Sequence, residues 1–159
     1  MHSRAVELLT ILRMRPHPEG GHYAELFRSP HRVQVLDRKV ERAAITSIYF
    51  LLAAGECSRW HRVMSDEVWH YHEGDAIELL LFDDRGLRRL QLGPVANETR
   101  PTIAVPAGTW QAARTTGDYT LVGCTVGPGF EFSDFSLLVD QPELAARIAS
   151  AGPDLARFI

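Results

Sequence analysis

The sequence predicts an all-β fold, two packed antiparallel sheets closed into a barrel, with short helices at the two ends of the chain. Three observations carry this. Between Ala43 and Val126, short runs rich in β-branched, aromatic and aliphatic residues recur at the spacing of about eight to twelve positions typical of sandwiches and barrels. Gly, Pro or Asp separate the runs, so the chain turns back after each one. Helical spacing of apolar residues is confined to the segments before Met14 and after Pro142, which excludes an alternating α/β fold.

The ends and connections read as follows. Val6, Leu9 and Leu12 recur at three-residue spacing beside Ala5, Leu8 and Ile11, giving a short amphipathic helix with Ser3 placed to cap it. Arg15-Pro16-His17-Pro18-Glu19-Gly20-Gly21 breaks that helix, because proline cannot continue the ladder and paired glycines admit positive φ. His22 to Ser29 alternates as a strand, with Tyr23, Glu25 and Phe27 on one face. Pro30 to Arg42 is polar and basic, either a mobile loop or a weak edge hairpin.

The run Ala43 to Ala53 is almost continuously apolar, as expected of a strand covered on both faces. Further strands are expected at Ala76 to Phe82, Leu87 to Leu92, Thr102 to Val105, Trp110 to Thr115 and Tyr119 to Val126. Phe130, Phe132 and Phe135 are placed to seal one barrel end. Pro142 opens a helical tail that Pro153 restarts. The whole chain, 1–159, is read as one domain, with a barrel core over about 22–138 and the tail over 142–159.

Composition narrows the function classes. With 159 residues, 45% of them hydrophobic, the chain can bury a core without disulfides or a structural metal. The formal net charge of −3 and the scattered Lys and Arg leave no basic footprint, which argues against nucleic acid as a partner. No apolar run approaches the ~20 residues that span a bilayer, and the N-terminus lacks the pattern of a secretory signal, so no membrane association and a cytoplasmic location are expected. Cys57 and Cys124 lie far apart, outside any CxxC or Cys/His cluster, and are read as buried thiols.

The chemistry concentrates between Gly55 and Gly74. Arg59, His61 and Val63 share one face of a strand, and Glu67, Trp69 and Tyr71 share one face of the next, with Met64-Ser65-Asp66 as the turn. If the two pair as a hairpin, His61 and Glu67 point to the same side, near enough to touch one small ligand or ion. An inward glutamate must be paired, hydrogen-bonded or protonated, because an isolated buried charge is too costly. His70 and His72 fall on the opposite face by alternation.

Gly55, His61, Val63, Glu67 and Gly74 carry the spacing of the first cupin motif, and Pro106-Ala107-Gly108, Thr109, Trp110, Gln111 that of the second. Val63 and Gln111 stand where the family's metal-binding histidines would be. The phrases PHPEGGHYAELFRS, WHRV, DEVWHYHEGD and DYTLVGCTVGPGFEFSDF resemble a small, functionally unassigned cupin family of the cupin-5 type, over roughly Leu8 to Leu138. That resemblance implies a cupin-type double-stranded β-helix.

Three function classes compete for the cup. One is a metal-independent isomerase or epimerase acting beside a carbonyl on a polar, sugar-like substrate, with His61 as general base and Glu67 holding one of its ring nitrogens. Another is a metal-dependent dioxygenase or isomerase using His61, Glu67 and Gln111, and the third is a non-catalytic binding module. An amide is a poor metal ligand and a good partner for a hydroxyl or carbonyl, so Gln111 is assigned to ligand binding together with Arg59, Tyr71, Trp69 and Glu25. No cofactor is expected, beyond weakly held divalent metal. Tyr23 and Glu25 resemble the opening strand of the cupin nucleotide-sugar epimerases, which reaches a partner subunit. A homodimer through the Tyr23-to-Phe27 strand is expected, since that strand otherwise presents an unpaired, partly apolar edge.

Overall fold

In the computed structural model, which describes residues 1–152 and 154–159, fourteen strands form two six-stranded sheets and a separate hairpin. Helix α1 (Ser3–Ile11) leads into β1 (Arg15–Pro16) and β2 (His22–Arg28). A hairpin of β3 (Arg32–Val35) and β4 (Val40–Ala43) follows, settling the Pro30-to-Arg42 alternatives. Then come β5 (Thr46–Ala53), β6 (Ser58–Val63), β7 (Asp66–Gly74), β8 (Ile77–Asp83), β9 (Gly86–Leu92), β10 (Thr99–Arg100) and β11 (Thr102–Val105). The barrel is completed by β12 (Trp110–Thr115), β13 (Tyr119–Gly127) and β14 (Phe135–Leu137), and helix α2 (Pro142–Ala151) opens the tail. One sheet is ordered β1-β2-β5-β13-β7-β11 and the other β10-β9-β8-β12-β6-β14. All pairings are antiparallel except the two-residue contact of β10 with β9.

The apolar run of β5 is explained by what covers it. Phe50 and Leu52 point into the barrel, against Trp69, Leu79, Leu81 and Val122. Leu51 and Ala53 point outward and are covered by Ala5 and Leu8 of α1. The second sheet is treated alike: Trp60, Leu80 and Ala112 face out beneath Ile148, Leu155 and Phe158 of the tail. Each such buried Leu or Phe stabilises the fold by about 1.5–3 kcal/mol, so the terminal segments are part of the core.

Three expectations are corrected. The residue capping α1 is His2, whose side chain accepts the main-chain N–H of Arg4, and Ser3 is already the first helical residue. The edge of β2 is not wholly unpaired, since Arg15 and Pro16 of β1 pair with Tyr23 and His22. Most consequential, β6 and β7 do not form a hairpin. β6 lies between β12 and β14, and β7 between β13 and β11, in opposite sheets. The chain crosses the barrel at Met64-Ser65, where the Val63 carbonyl accepts from the Gly108 N–H and the Met64 N–H bonds Asp134. The expected restart of the tail helix at Pro153 lies outside the described residues. Among the described residues no helix is long and apolar enough to cross a membrane.

Candidate functional site

His61 is 2% exposed and sits in β6 opposite Gln111 and Leu137. Its Nδ1 lies 2.7 Å from the Arg59 carbonyl oxygen. A carbonyl only accepts, so Nδ1 carries the proton and Nε2 is left with a lone pair. Nε2 stands 3.4 Å from Oε2 of Glu19. The other Glu19 oxygen accepts from the Ser58 hydroxyl at 2.8 Å, and Oε2 also lies 3.3 Å from Nδ1 of His17. That His17 nitrogen accepts the main-chain N–H of Glu19, so it too presents a lone pair. An ionised Glu19 would therefore face two lone pairs. One proton on Glu19 Oε2 relieves this, and it has two neighbouring acceptors, Nε2 of His61 at 3.4 Å and Nδ1 of His17 at 3.3 Å.

Burial decides which group keeps it. Loss of solvent pushes the Glu19 carboxyl above the ordinary carboxylate range, against the opposing pull of His17, the Ser58 hydroxyl and Arg59. The same loss of solvent lowers His61, with Glu67 and the Arg59 carbonyl opposing, and lowers His17, with Glu19 opposing. Both shifts favour the neutral forms, a protonated Glu19 beside an uncharged His61. Glu67, entering from the opposite sheet, is also raised by burial. Its Oε2 accepts from the Gln111 amide at 2.5 Å, and Oε1 of Gln111 accepts from the Trp69 indole at 3.0 Å.

These groups surround a cavity of about 190 Å³. Glu19, His61 and Glu67 form its polar end, Val63, Phe50 and Trp69 its apolar wall, and Arg15, Glu25, Arg28 and Phe132 its mouth. Phe135 stacks on His61 at 5.5 Å between ring centroids, and Phe132 lies 6.3 Å from Phe135, so the aromatic cluster borders the cavity mouth at this end of the barrel rather than sealing it.

The structure brings His61, Glu67 and Trp69 together at the cavity, and it seats Glu25 at the mouth, tied to Arg28 at 2.9 Å. Gln111 stands behind the wall with its amide committed to Glu67 and Trp69. Arg59 and Tyr71 do not line the cavity. Arg59 turns to the carbonyls of Pro18 and Glu19, at 2.5 and 3.4 Å, and the Tyr71 hydroxyl donates to Gly74 at 2.6 Å while its ring packs in the core. Nor does Glu67 hold a nitrogen of His61; the Arg59 carbonyl and Glu19 take those places, because the two strands sit in opposing sheets.

His17 and Glu19 were missed as site residues, since Pro and Gly around them read as a connection. The available signal was two titratable side chains within one rigid polar turn, and turns held on a rigid scaffold often carry function.

The cupin resemblance of the sequence raises the question of a metal. Val63 offers no donor, the Gln111 oxygen is occupied by an indole N–H, and His61 presents only Nε2, already set against Glu19. No group of three or more His, Cys, Asp or Glu among the described residues has the geometry to hold an ion. The donor set does not fit a catalytic metal, which typically needs three protein ligands.

Residues 6–138 match the Cupin_5 family, described as Cupin superfamily (DUF985). The chain belongs to that family. Two solved structures are similar over nearly the whole cupin chain. One is a hypothetical protein from Leishmania major, 31% identical with a TM-score of 0.82, covering 98% of this chain and 96% of that one. The other is a protein from Shewanella oneidensis, 35% identical with a TM-score of 0.76, covering 88% and 91%. Oxalate decarboxylase from Bacillus subtilis shares the fold at 16% identity and a TM-score of 0.58, the match covering 86% of this chain and 33% of the enzyme. No protein of curated function matches the sequence.

Proposed function

We propose that this Cupin_5 protein binds a small polar carbonyl compound and isomerises or epimerises it by metal-free proton transfer at the Glu19–His61 pair. The observation that carries this is the contact of the Glu19 carboxyl with the lone pair on Nε2 of His61, at the buried end of a cavity. At a carbon next to a carbonyl, the C–H bond breaks and its proton goes to Nε2. The electron pair becomes the enol double bond, and the proton from Glu19 goes to the carbonyl oxygen. Glu67, when ionised, favours a protonated His61 and so supports the imidazolium as it forms. Returning the two protons, one to the other face of the carbon or to the neighbouring carbon, completes the cycle and restores both residues. The pair of free cysteines suits a reducing compartment, and we assign the protein to the cytoplasm on that ground.

The test is deuterium incorporation from heavy water into a panel of small keto-sugars and keto acids, followed by proton NMR. His61→Asn is expected to lower exchange by the hundred- to ten-thousand-fold typical of a lost general base, roughly, with the fold intact. Prior chelation is expected to change nothing. Binding without any exchange in the wild type makes the cavity a binding site only, and loss of exchange on chelation restores the metal enzyme.

A further inference from the structure

The charges at the cavity mouth are unevenly matched. Arg28 is held by Glu25 at 2.9 Å and by Glu131 at 3.0 Å, so both mouth carboxylates and one mouth guanidinium are already paired. Arg15 is exposed, lines the same cavity, and makes no ion pair among the described residues. It is not loose, because its guanidinium lies over the Tyr23 ring, 4.9 Å from the centroid, a placement that orients the planar fork. Tyr23 packs edge-on against His17 at 4.7 Å, and His17 touches Glu19. A chain of contacts thus runs from the unpaired cation to the proton-transfer pair.

We infer that Arg15 is the anchor for a carboxylate, and that the substrate is a small keto acid whose carbonyl end reaches Glu19 and His61. This rests on the proton-transfer reading of the site. A planar guanidinium matches a carboxylate with two parallel hydrogen bonds, a geometry that lysine cannot copy. The rest of the cavity agrees. Its walls are apolar or aromatic, and burial shifts the carboxyls at its polar end toward their neutral form, which lessens their repulsion of an entering anion. Its volume of about 190 Å³ is little more than the ~150 Å³ that houses one benzene ring, which excludes nucleotide-linked sugars from the interior. Arg15 then sets specificity and orientation, and the enol forms at the far end of the bound acid.

The experiment compares pyruvate and 2-oxobutyrate with methyl pyruvate, which keeps the ketone and loses the charge, by titration calorimetry. The wild type is expected to bind the acids at least tenfold more tightly than the ester. Arg15→Gln is expected to weaken the acids by about ten- to a hundredfold, the range of a charge-assisted hydrogen-bond pair, and to leave the ester unchanged. Arg15→Lys recovers part of the affinity and none of the preference for planar carboxylate. Equal binding of acid and ester, an unaffected Arg15→Gln variant, or no binding of either acid overturns the inference. The two readings fail separately. Keto acids held through Arg15 without hydrogen exchange support the anchor and remove the chemistry, whereas exchange on the ester and neutral ketoses with no preference for acids keeps the chemistry and removes the anchor.

Discussion

At the scale of single residues, Glu19 is the one whose protonation makes the cavity chemically distinctive. Its carboxyl is raised from an ordinary 4.5 by burial, so the native state holds this proton to higher pH than the unfolded chain does. The stability it contributes is complete below 4.5 and is lost as pH rises through the raised value. His17 and His61 act in the opposite sense. Both are lowered from 6.5, so their contribution is complete above 6.5 and is lost as pH falls. Glu19→Gln removes the first effect and keeps the second, while its amide still accepts from Ser58 and donates to Nε2 of His61. The variant is therefore expected to melt higher than the wild type by a margin that grows from pH 5 to pH 8, reaching about 2–4 °C, the shift made by ~1 kcal/mol in a chain of this size. Differential scanning fluorimetry across that range decides it; a margin that is constant or shrinks with pH places Glu19 as an ionised group.

At the scale of elements, the turn from His17 to Gly20 is what completes the site, and Arg59 is what holds the turn. Its main-chain N–H donates to the Glu19 carbonyl at 2.8 Å and its guanidinium to those of Pro18 and Glu19. Gly20 has φ +111° and passes so close to the Cys57 carbonyl that a Cβ would overlap it. The turn is thus docked on the start of β6 and carries the Glu19 carboxyl to His61. Arg59→Ala leaves the main-chain bond and removes the side-chain ones, a loss of about 1–3 kcal/mol for charged hydrogen bonds. Faster amide hydrogen exchange confined to residues 17–21, together with weaker ligand binding, is the expected result. Unchanged protection there, with ligand binding lost, would return Arg59 to the role of a direct ligand contact.

At the scale of the whole molecule, both outer faces of the barrel are covered where α1 and the tail lie, but the β2 edge is not. Beyond its pairing with β1, the main chain from Ala24 to Arg28 pairs, among the described residues, with β5 on one side alone, and Leu26 and Phe27 are 56% and 49% exposed. An open edge with apolar side chains invites a further strand, and a second copy of β2 satisfies it symmetrically. We expect a homodimer in solution. Light scattering at micromolar concentration should give twice the chain mass, and Leu26→Lys should halve it; a monomeric wild type refutes the pairing.

Strand spacing, turn residues and the run from Ala43 to Ala53 determined the barrel, because a strand between two covered faces must be apolar at successive positions, and that reads directly from the letters. The letters likewise marked His61 and Glu67, whose inward parity follows from local alternation along each strand. What alternation cannot encode is which strand lies beside which. β6 and β7 are consecutive and joined by a two-residue crossing, yet they belong to opposite sheets, so His61 meets Glu19 from a distant turn while Glu67 meets Gln111 and Trp69. Arg59 and Tyr71, assigned to the cup by parity, were drawn off by a carbonyl-rich turn and by the Gly74 carbonyl. Which nitrogen of His61 holds the proton, and which carboxyl shares it, was decided only when closure of the barrel brought side chains far apart in sequence within hydrogen-bonding distance and removed the water between them.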